Sequence, residues 1–208
     1  MSRPLRALII LTPLILIVSC SNPASDKPRA VTSDAAPAAS QAVAGERYSI
    51  TPENSDIEFI GAKVTGKHNG SFDKFSGEIQ YAGQPEKSSV RITIDVDSMT
   101  TDDAKLTAHL KTADFFDVAK FPQATFESTG ITPGGEAGAT HTIKGNLTMH
   151  GVTKSITFPA KIAAAADAIT VDATFAINRK DFGINYAGAS DNLIRDDVVL
   201  TLRVRATK

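Results

Sequence analysis

The run Ile169-Thr170-Val171-Asp172-Ala173-Thr174-Phe175-Ala176-Ile177 places an apolar side chain at every second position, with Thr170, Asp172 and Thr174 between them. A strand turns successive side chains to opposite faces, so this period reads as a half-buried β-strand, apolar on one side and wet on the other. The same alternation occurs earlier in Val90, Ile92, Ile94 and Val96, around Arg91, Thr93 and Asp95, and later in Val198, Leu200, Leu202 and Val204, around Thr201, Arg203 and Arg205. Weaker strand readings cover residues 57–64, 72–81, 124–131, 142–150 and 152–162. Asn69-Gly70, Pro133-Gly134-Gly135 and His150-Gly151 punctuate them as turns, the first being the strong hairpin dipeptide. One stretch departs from the pattern. Residues 101–110 open with Thr101 as N-cap, carry Asp102 and Asp103 in the first turn and set Leu106 four before Leu110, which predicts a short helix. About eight strands with one short helical insert predict a closed antiparallel barrel, an all-β fold in which closure removes exposed sheet edges.

Composition limits the function classes. The chain has 208 residues, and its 22 Lys+Arg against 23 Asp+Glu provide no clustered basic surface for nucleic acid. A single Cys excludes an internal disulfide, a Cys-rich zinc site and a Cys-x-x-Cys redox pair. Charged residues at 22% and hydrophobic residues at 42% fit a folded domain and neither a disordered chain nor a multi-span membrane protein.

The N-terminus reads as a separate region. Arg3 and Arg6 precede the apolar run of residues 7–18, which as a helix spans about 18 Å, short of the ~30 Å hydrocarbon core of a bilayer. Residues 1–19 are therefore expected to be a signal peptide. Ile17-Val18-Ser19-Cys20 resembles a bacterial lipobox, which makes Cys20 the expected lipidation site, an N-terminal anchor to the membrane. Residues 20–46, with Pro23, Pro28 and Pro37 and much Ala and Ser, are expected to be the lipidated Cys and a disordered tether, and residues 47–208 the barrel domain. The expected location is the bacterial cell envelope, with the domain in the periplasm; Ser21 after the Cys favours the outer membrane in a Gram-negative host.

No catalytic constellation emerges. His68, His109, His141 and His150 lack the i, i+2 or i, i+4 spacing of paired metal ligands. Asp102-Asp103 belongs to a helix start, and Asp196-Asp197 would point to opposite faces of a strand. Asp181-Phe182-Gly183 spells a kinase triplet without the other kinase motifs. The chain is thus expected to be no enzyme, to hold no metal and to need no cofactor.

Three longer strings carry more information. They are 109–118, which leads through Lys120-Phe121-Pro122 to residues 124–129; 145–154, Gly145-Asn146-Leu147-Thr148-Met149-His150-Gly151-Val152-Thr153-Lys154; and 178–183, Asn178-Arg179-Lys180-Asp181-Phe182-Gly183. In this order they closely resemble the YceI-like, or polyisoprenoid-binding, family over about residues 48–206. The resemblance implies a lipocalin-like extended antiparallel β-barrel whose apolar tunnel takes up an isoprenoid or another long-chain amphiphile, with no catalysis. Two departures stand out: Arg47-Tyr48 replaces a Trp common near the first strand, which bears on the barrel mouth, and many relatives are soluble periplasmic proteins rather than lipidated ones.

On that reading, strand parity makes Phe75, Ile79, Phe126, Ile143, Leu147, Met149, Phe158 and Phe175 candidate lipid contacts, with Phe115 and Phe116 closing one end. For each of them ordinary core packing is an equal reading. Small inward residues, Gly77, Gly145 and Ala173, permit a cavity, and Ala173→Phe is the test of whether that position borders a void or packed neighbours. Two functions follow: an envelope lipoprotein that binds, stores or carries an isoprenoid-type lipid, or a stress-protection or protein-interaction module with an incidental lipid. An exposed strand or aromatic mouth leaves homodimerisation open. If Cys20 bears the anchor, Cys20→Ser yields an unacylated protein that a salt wash releases from membranes; retention after the wash places the anchor elsewhere.

Overall fold

The computed structural model describes residues 22–37, 44–190 and 192–208. In chain order the strands are β1 (Val31–Asp34), β2 (Glu46–Ile50), β3 (Asp56–Lys63), β4 (Gly66–Phe72), β5 (Phe75–Tyr81), β6 (Ser89–Asp95) and β7 (Met99–Thr101). After the helix α1 (Ala104–Leu110) come β8 (Gln123–Pro133), β9 (His141–Met149), β10 (Val152–Ala164), β11 (Ala168–Asn178), β12 (Gly188–Ala189), β13 (Asn192–Leu193) and β14 (Asp197–Thr207). Eight of them close a ring in the order β10, β9, β8, β6, β5, β2, β14, β11 and back to β10, all antiparallel. The expected barrel of about eight strands is the observed one.

The ring changes composition along its axis. At one end β14 meets β2 through Thr207 and Ser49, while residues 199–203 of β14 pair instead with β3, which continues into β4 and β7. The buried residues follow this division. Tyr48, Ile131, Ile169 and Ala206 belong to one large cluster, while Phe59, Met99, Leu110, Phe115 and Ile184 form a second under α1.

Local chemistry explains the elements, with two corrections. The helix begins at Ala104, and its cap is Asp103, whose carboxylate accepts from Lys105 N at 2.7 Å and Leu106 N at 3.1 Å. Those backbone donors, Leu106 first, hold the Asp103 carboxyl below its usual range. Thr101 instead ends β7, and its hydroxyl donates to the Asp103 carbonyl at 2.8 Å. Asn69-Gly70 is not a turn. It lies inside β4, and the β3–β4 hairpin turns at Val64-Thr65. A Cβ at Gly70 would stand 2.2 Å from Phe59 Cζ, so glycine is needed there because an aromatic ring lies on the strand. His150-Gly151 does form a two-residue turn, with φ of 51° and 73°, the left-handed pair that suits a twisted hairpin.

The expected disordered tether is corrected for residues 22–37, which dock on the barrel. Strand β11 pairs with β10 only through residues 169–172, and the N-terminal segment occupies the wall beyond that point. Val31–Asp34 pairs antiparallel with residues 154–157 of β10. On its other side, Ala30 N donates to the Ala176 carbonyl and Ala176 N to the Pro28 carbonyl, both at 2.8 Å. Ala24 is buried against Ala176, Val199 and Ile60, Arg29 ion-pairs with Asp197, and Ala36 exchanges two hydrogen bonds with the Asn146 amide. The hydrophobicity of this segment is low, but free backbone groups along β10 and β11 compensate by giving it strand partners.

Ala24→Asp places a carboxylate in this apolar contact and is expected to cost about 1–3 kcal/mol and to raise amide hydrogen exchange at Ala30 and Ala176. Unchanged exchange at both amides would show that the segment contributes nothing to the wall.

Candidate lipid-binding cavity

The three sequence strings converge at one end of the barrel. The His150 ring, at the β9–β10 turn, stacks edge-on to Phe121 with centroids 4.8 Å apart, and its Nδ1 lies 3.2 Å from the Phe182 carbonyl. A Cβ at Gly151 would come within 2.5 Å of the Phe121 ring, so this glycine meets both a backbone and a packing demand. Within the third string, the Asn178 side chain accepts from Lys180 N at 2.9 Å, Phe182 is fully buried, and Gly183 takes φ 75° to end the short helical turn Arg179–Phe182. The kinase-like triplet is therefore a helix stop. His109, in the first string, holds Asp114 at 2.8 Å and packs edge-on to Phe115 and Tyr186.

Inside this frame lies a cavity of about 200 Å³. It runs through both buried clusters, from Ile50, Ile79 and Val204 near the base to Leu106, Phe116 and Ile194 at the other end. The lining surface is wholly apolar; Lys63, His68 and Arg179 border it only through the carbon atoms of their side chains or backbone. Arg179 is buried and its guanidinium donates from each of its three nitrogens, to the Ile184 carbonyl at 2.6 Å, the Arg195 carbonyl at 3.2 Å and Asp196 at 3.3 Å. Burial pulls this group below its ordinary pKa, and Asp196 opposes the shift.

Of the sequence candidates, Ile79, Phe115, Phe116, Phe126, Ile143, Leu147, Met149, Phe158 and Phe175 all line the cavity. Phe158 stacks on Phe175 at 4.1 Å and tilts against Phe126 at 5.8 Å, forming an aromatic ladder along one wall. Phe75 does not line the cavity; it is 7% exposed and packs in the core, because its position at the start of β5 meets neighbouring side chains rather than open space. Ala173 is likewise buried without bordering the cavity. Gly145 is small for a different reason: a Cβ there would sit 2.3 Å from Phe126 Cζ. Tyr48, in place of the expected Trp, belongs to the base and not the mouth, with its hydroxyl 3.1 Å from Glu46 and its ring edge-on to Tyr81. Sequence parity missed Phe59, Gly61, Lys63 and His68, which the β3–β4 hairpin brings to the lining. Their signal was masked by reading Asn69-Gly70 as a turn.

Among the described residues no helix is long and apolar enough to cross a membrane, and no group of His, Cys, Asp and Glu could hold a metal ion. Cys20 and the expected signal peptide lie outside the described residues.

Comparison with known proteins agrees with this architecture. Residues 48–206 match the family model of the YceI-like domain, and the chain belongs to that family. A UPF0312 protein of Pseudomonas putida (strain GB-1) is 33% identical over 171 residues, covering 77% of this chain and 87% of its own. Among solved structures, Burkholderia cenocepacia BcnA superposes with a TM-score of 0.68 at 26% identity, covering 76% of this chain and 99% of BcnA. A polyisoprenoid binding domain from Saccharophagus degradans shares the fold at TM-score 0.60 and 19% identity, covering 77% of this chain and 97% of that domain.

Ala124 is buried and does line the cavity, so Ala124→Phe is expected to fill open space and leave the melting temperature near that of the wild type. Ala173→Phe meets packed neighbours and is expected to cost about 1–3 kcal/mol. Calorimetry of the two variants checks the cavity boundary; equal destabilisation would mean the interior is packed at both positions.

Proposed function

We propose that this chain is an envelope lipoprotein whose barrel takes up a long-chain isoprenoid or a similar amphiphile. The observation that carries the reading is the continuous apolar cavity through both buried clusters. Membership of the YceI-like family, and a relative in fold described as a polyisoprenoid binding domain, support the ligand class. Binding is passive. A prenyl chain leaves water at about 25 cal/mol per Å² of buried apolar surface, so it needs few polar contacts to be held. The protein binds and holds its ligand and performs no reaction on it.

The anchor belongs to the same proposal. Cys20 is separated from Asn22, the first residue described against the barrel, by Ser21 alone. An acylated Cys20 therefore holds the barrel close to the bilayer, in the periplasm of a Gram-negative host, rather than at the end of a long tether.

Native protein, purified without detergent exchange and extracted for mass spectrometry, is expected to yield an isoprenoid-type lipid, and the delipidated, refolded chain is expected to take up a prenyl alcohol. If extraction yields no lipid and the refolded chain takes up neither a prenyl nor a long acyl chain, the carrier reading gives way to that of a protein-interaction module.

A further inference from the structure

We propose that Val64, Tyr186 and Leu193 form a membrane-docking ledge, which seats one end of the cavity on the bilayer from which its lipid is drawn. The proposal rests on the lipid-binding reading and adds the surface with which the protein exchanges its ligand.

Among the described residues four large hydrophobic side chains are exposed: Val31 at 68%, Val64 at 52%, Leu193 at 49% and Tyr186 at 38%. Val31 belongs to β1; the other three gather at one end of the barrel. Val64 N donates to the Leu193 carbonyl at 3.1 Å, and the Thr65 hydroxyl donates to the Asn192 side chain at 2.8 Å. The β3–β4 turn and the β12–β13 hairpin are thereby joined into one ledge. Tyr186, two residues before β12, packs its ring on Phe115 with centroids 5.0 Å apart. Each of the three adjoins the cavity wall, because Lys63 and Ile194, the chain neighbours of Val64 and Leu193, border the cavity, as does Phe115. Single exposed apolar side chains are ordinary on a protein surface, but three gathered at the end of an apolar cavity mark an interaction site.

Charge, area and chain connection identify the partner as a lipid surface. Residues 63–67 and 190–195 carry Lys63, Lys67 and Arg195 against Asp191 alone. The side chains of these three cations have no hydrogen bond or ion pair among the described residues. Aliphatic tips, a tyrosine and unpaired cations on one surface suit shallow insertion into an anionic bilayer. Three partly exposed side chains offer far less than the roughly 800 Å² per partner of a stable protein interface, which argues against a second copy of the chain. Ala24 packs on Ile60, and Lys63 lies three residues further along β3, about 10 Å away. Cys20 precedes Ala24 by four residues, a reach of up to ~14 Å. An anchor at Cys20 and the ledge can therefore meet the same bilayer, and anchoring raises the effective concentration of the ledge there, so that a weak contact suffices.

The chain has no Trp, so a single introduced Trp reports on its own position. Leu193→Trp and Ala166→Trp, the second exposed at the β10–β11 turn of the opposite end, are coupled through Cys20 to a maleimide lipid. The vesicles carry phosphatidylethanolamine and phosphatidylglycerol with brominated acyl chains. Fluorescence of Leu193→Trp is expected to be quenched and that of Ala166→Trp to be unchanged. Val64→Asp combined with Leu193→Asp, both at exposed positions, is expected to slow geranylgeraniol transfer from vesicles to the coupled chain about tenfold. Its affinity for geranylgeraniol supplied from detergent and its melting temperature are expected to stay at the wild-type values. Absent quenching of Leu193→Trp, equal quenching at both positions, or wild-type transfer by the double variant overturns the docking ledge and leaves the lipid-binding reading intact. A double variant that turns a dimer into a monomer with transfer unchanged overturns it in favour of an interface between copies. Failure of the wild type to take up geranylgeraniol even from detergent overturns the lipid-binding reading, and this proposal with it.

Discussion

The incomplete pairing of β10 with β11 is the constraint on which the rest of the barrel depends. Strand β11 pairs with β14 along its whole length, from Ala168 to Asn178, but meets β10 only through residues 169–172 before the two diverge. A barrel with that gap would expose backbone donors and acceptors beside its apolar interior, where they are costly to leave unpaired. The N-terminal segment supplies the missing pairs to both strands. It consequently acts as part of the wall, although its composition is that of a linker.

A second constraint shapes the interior. A ring of eight strands can be filled by side chains or can leave space, depending on its girth. At the base β2 lies between β14 and β5, and Tyr48, Ile131, Ile169 and Ala206 fill the interior. Toward the other end β14 exchanges β2 for β3, which continues into β4 and β7. The cavity runs past this exchange of partners, with α1, Phe115 and Phe116 bordering its far end and the small Gly61, Ala62 and Ala124 among its lining.

Glycines in this barrel show why residue size alone misleads. Gly70, Gly145 and Gly151 are small because Phe59, Phe126 and Phe121 lie directly on them. These ring-on-glycine contacts fix aromatic side chains at the wall, and through Phe121 and His150 they tie the three family strings into one structural unit. At Gly61, by contrast, a Cβ would meet nothing within 4 Å. The same residue type thus marks tight packing at some positions and open space at another.

The sequence by itself determined the strand class, the antiparallel barrel and most of the apolar wall, because a period of two forces a face assignment that a one-residue slip would invert. His150-Gly151 and the family strings were legible for a related reason: left-handed turns and helix stops need particular residues locally. Other features depended on groups distant in the chain. Asn69-Gly70 has the local chemistry of a turn, but the ring of Phe59 claims the glycine for a strand. Phe75 and Ala173 have inward parity, yet only the spacing of opposite walls decides whether an inward residue meets a neighbour or a void. Residues 22–37 carry too little apolar surface to predict order; their order comes from unpaired edges that exist only after β10 and β11 have diverged. Lys63 and His68 read as isolated polar residues until the β3–β4 hairpin sets them on one face, since pairing register is a property of two strands together and cannot be read from either alone.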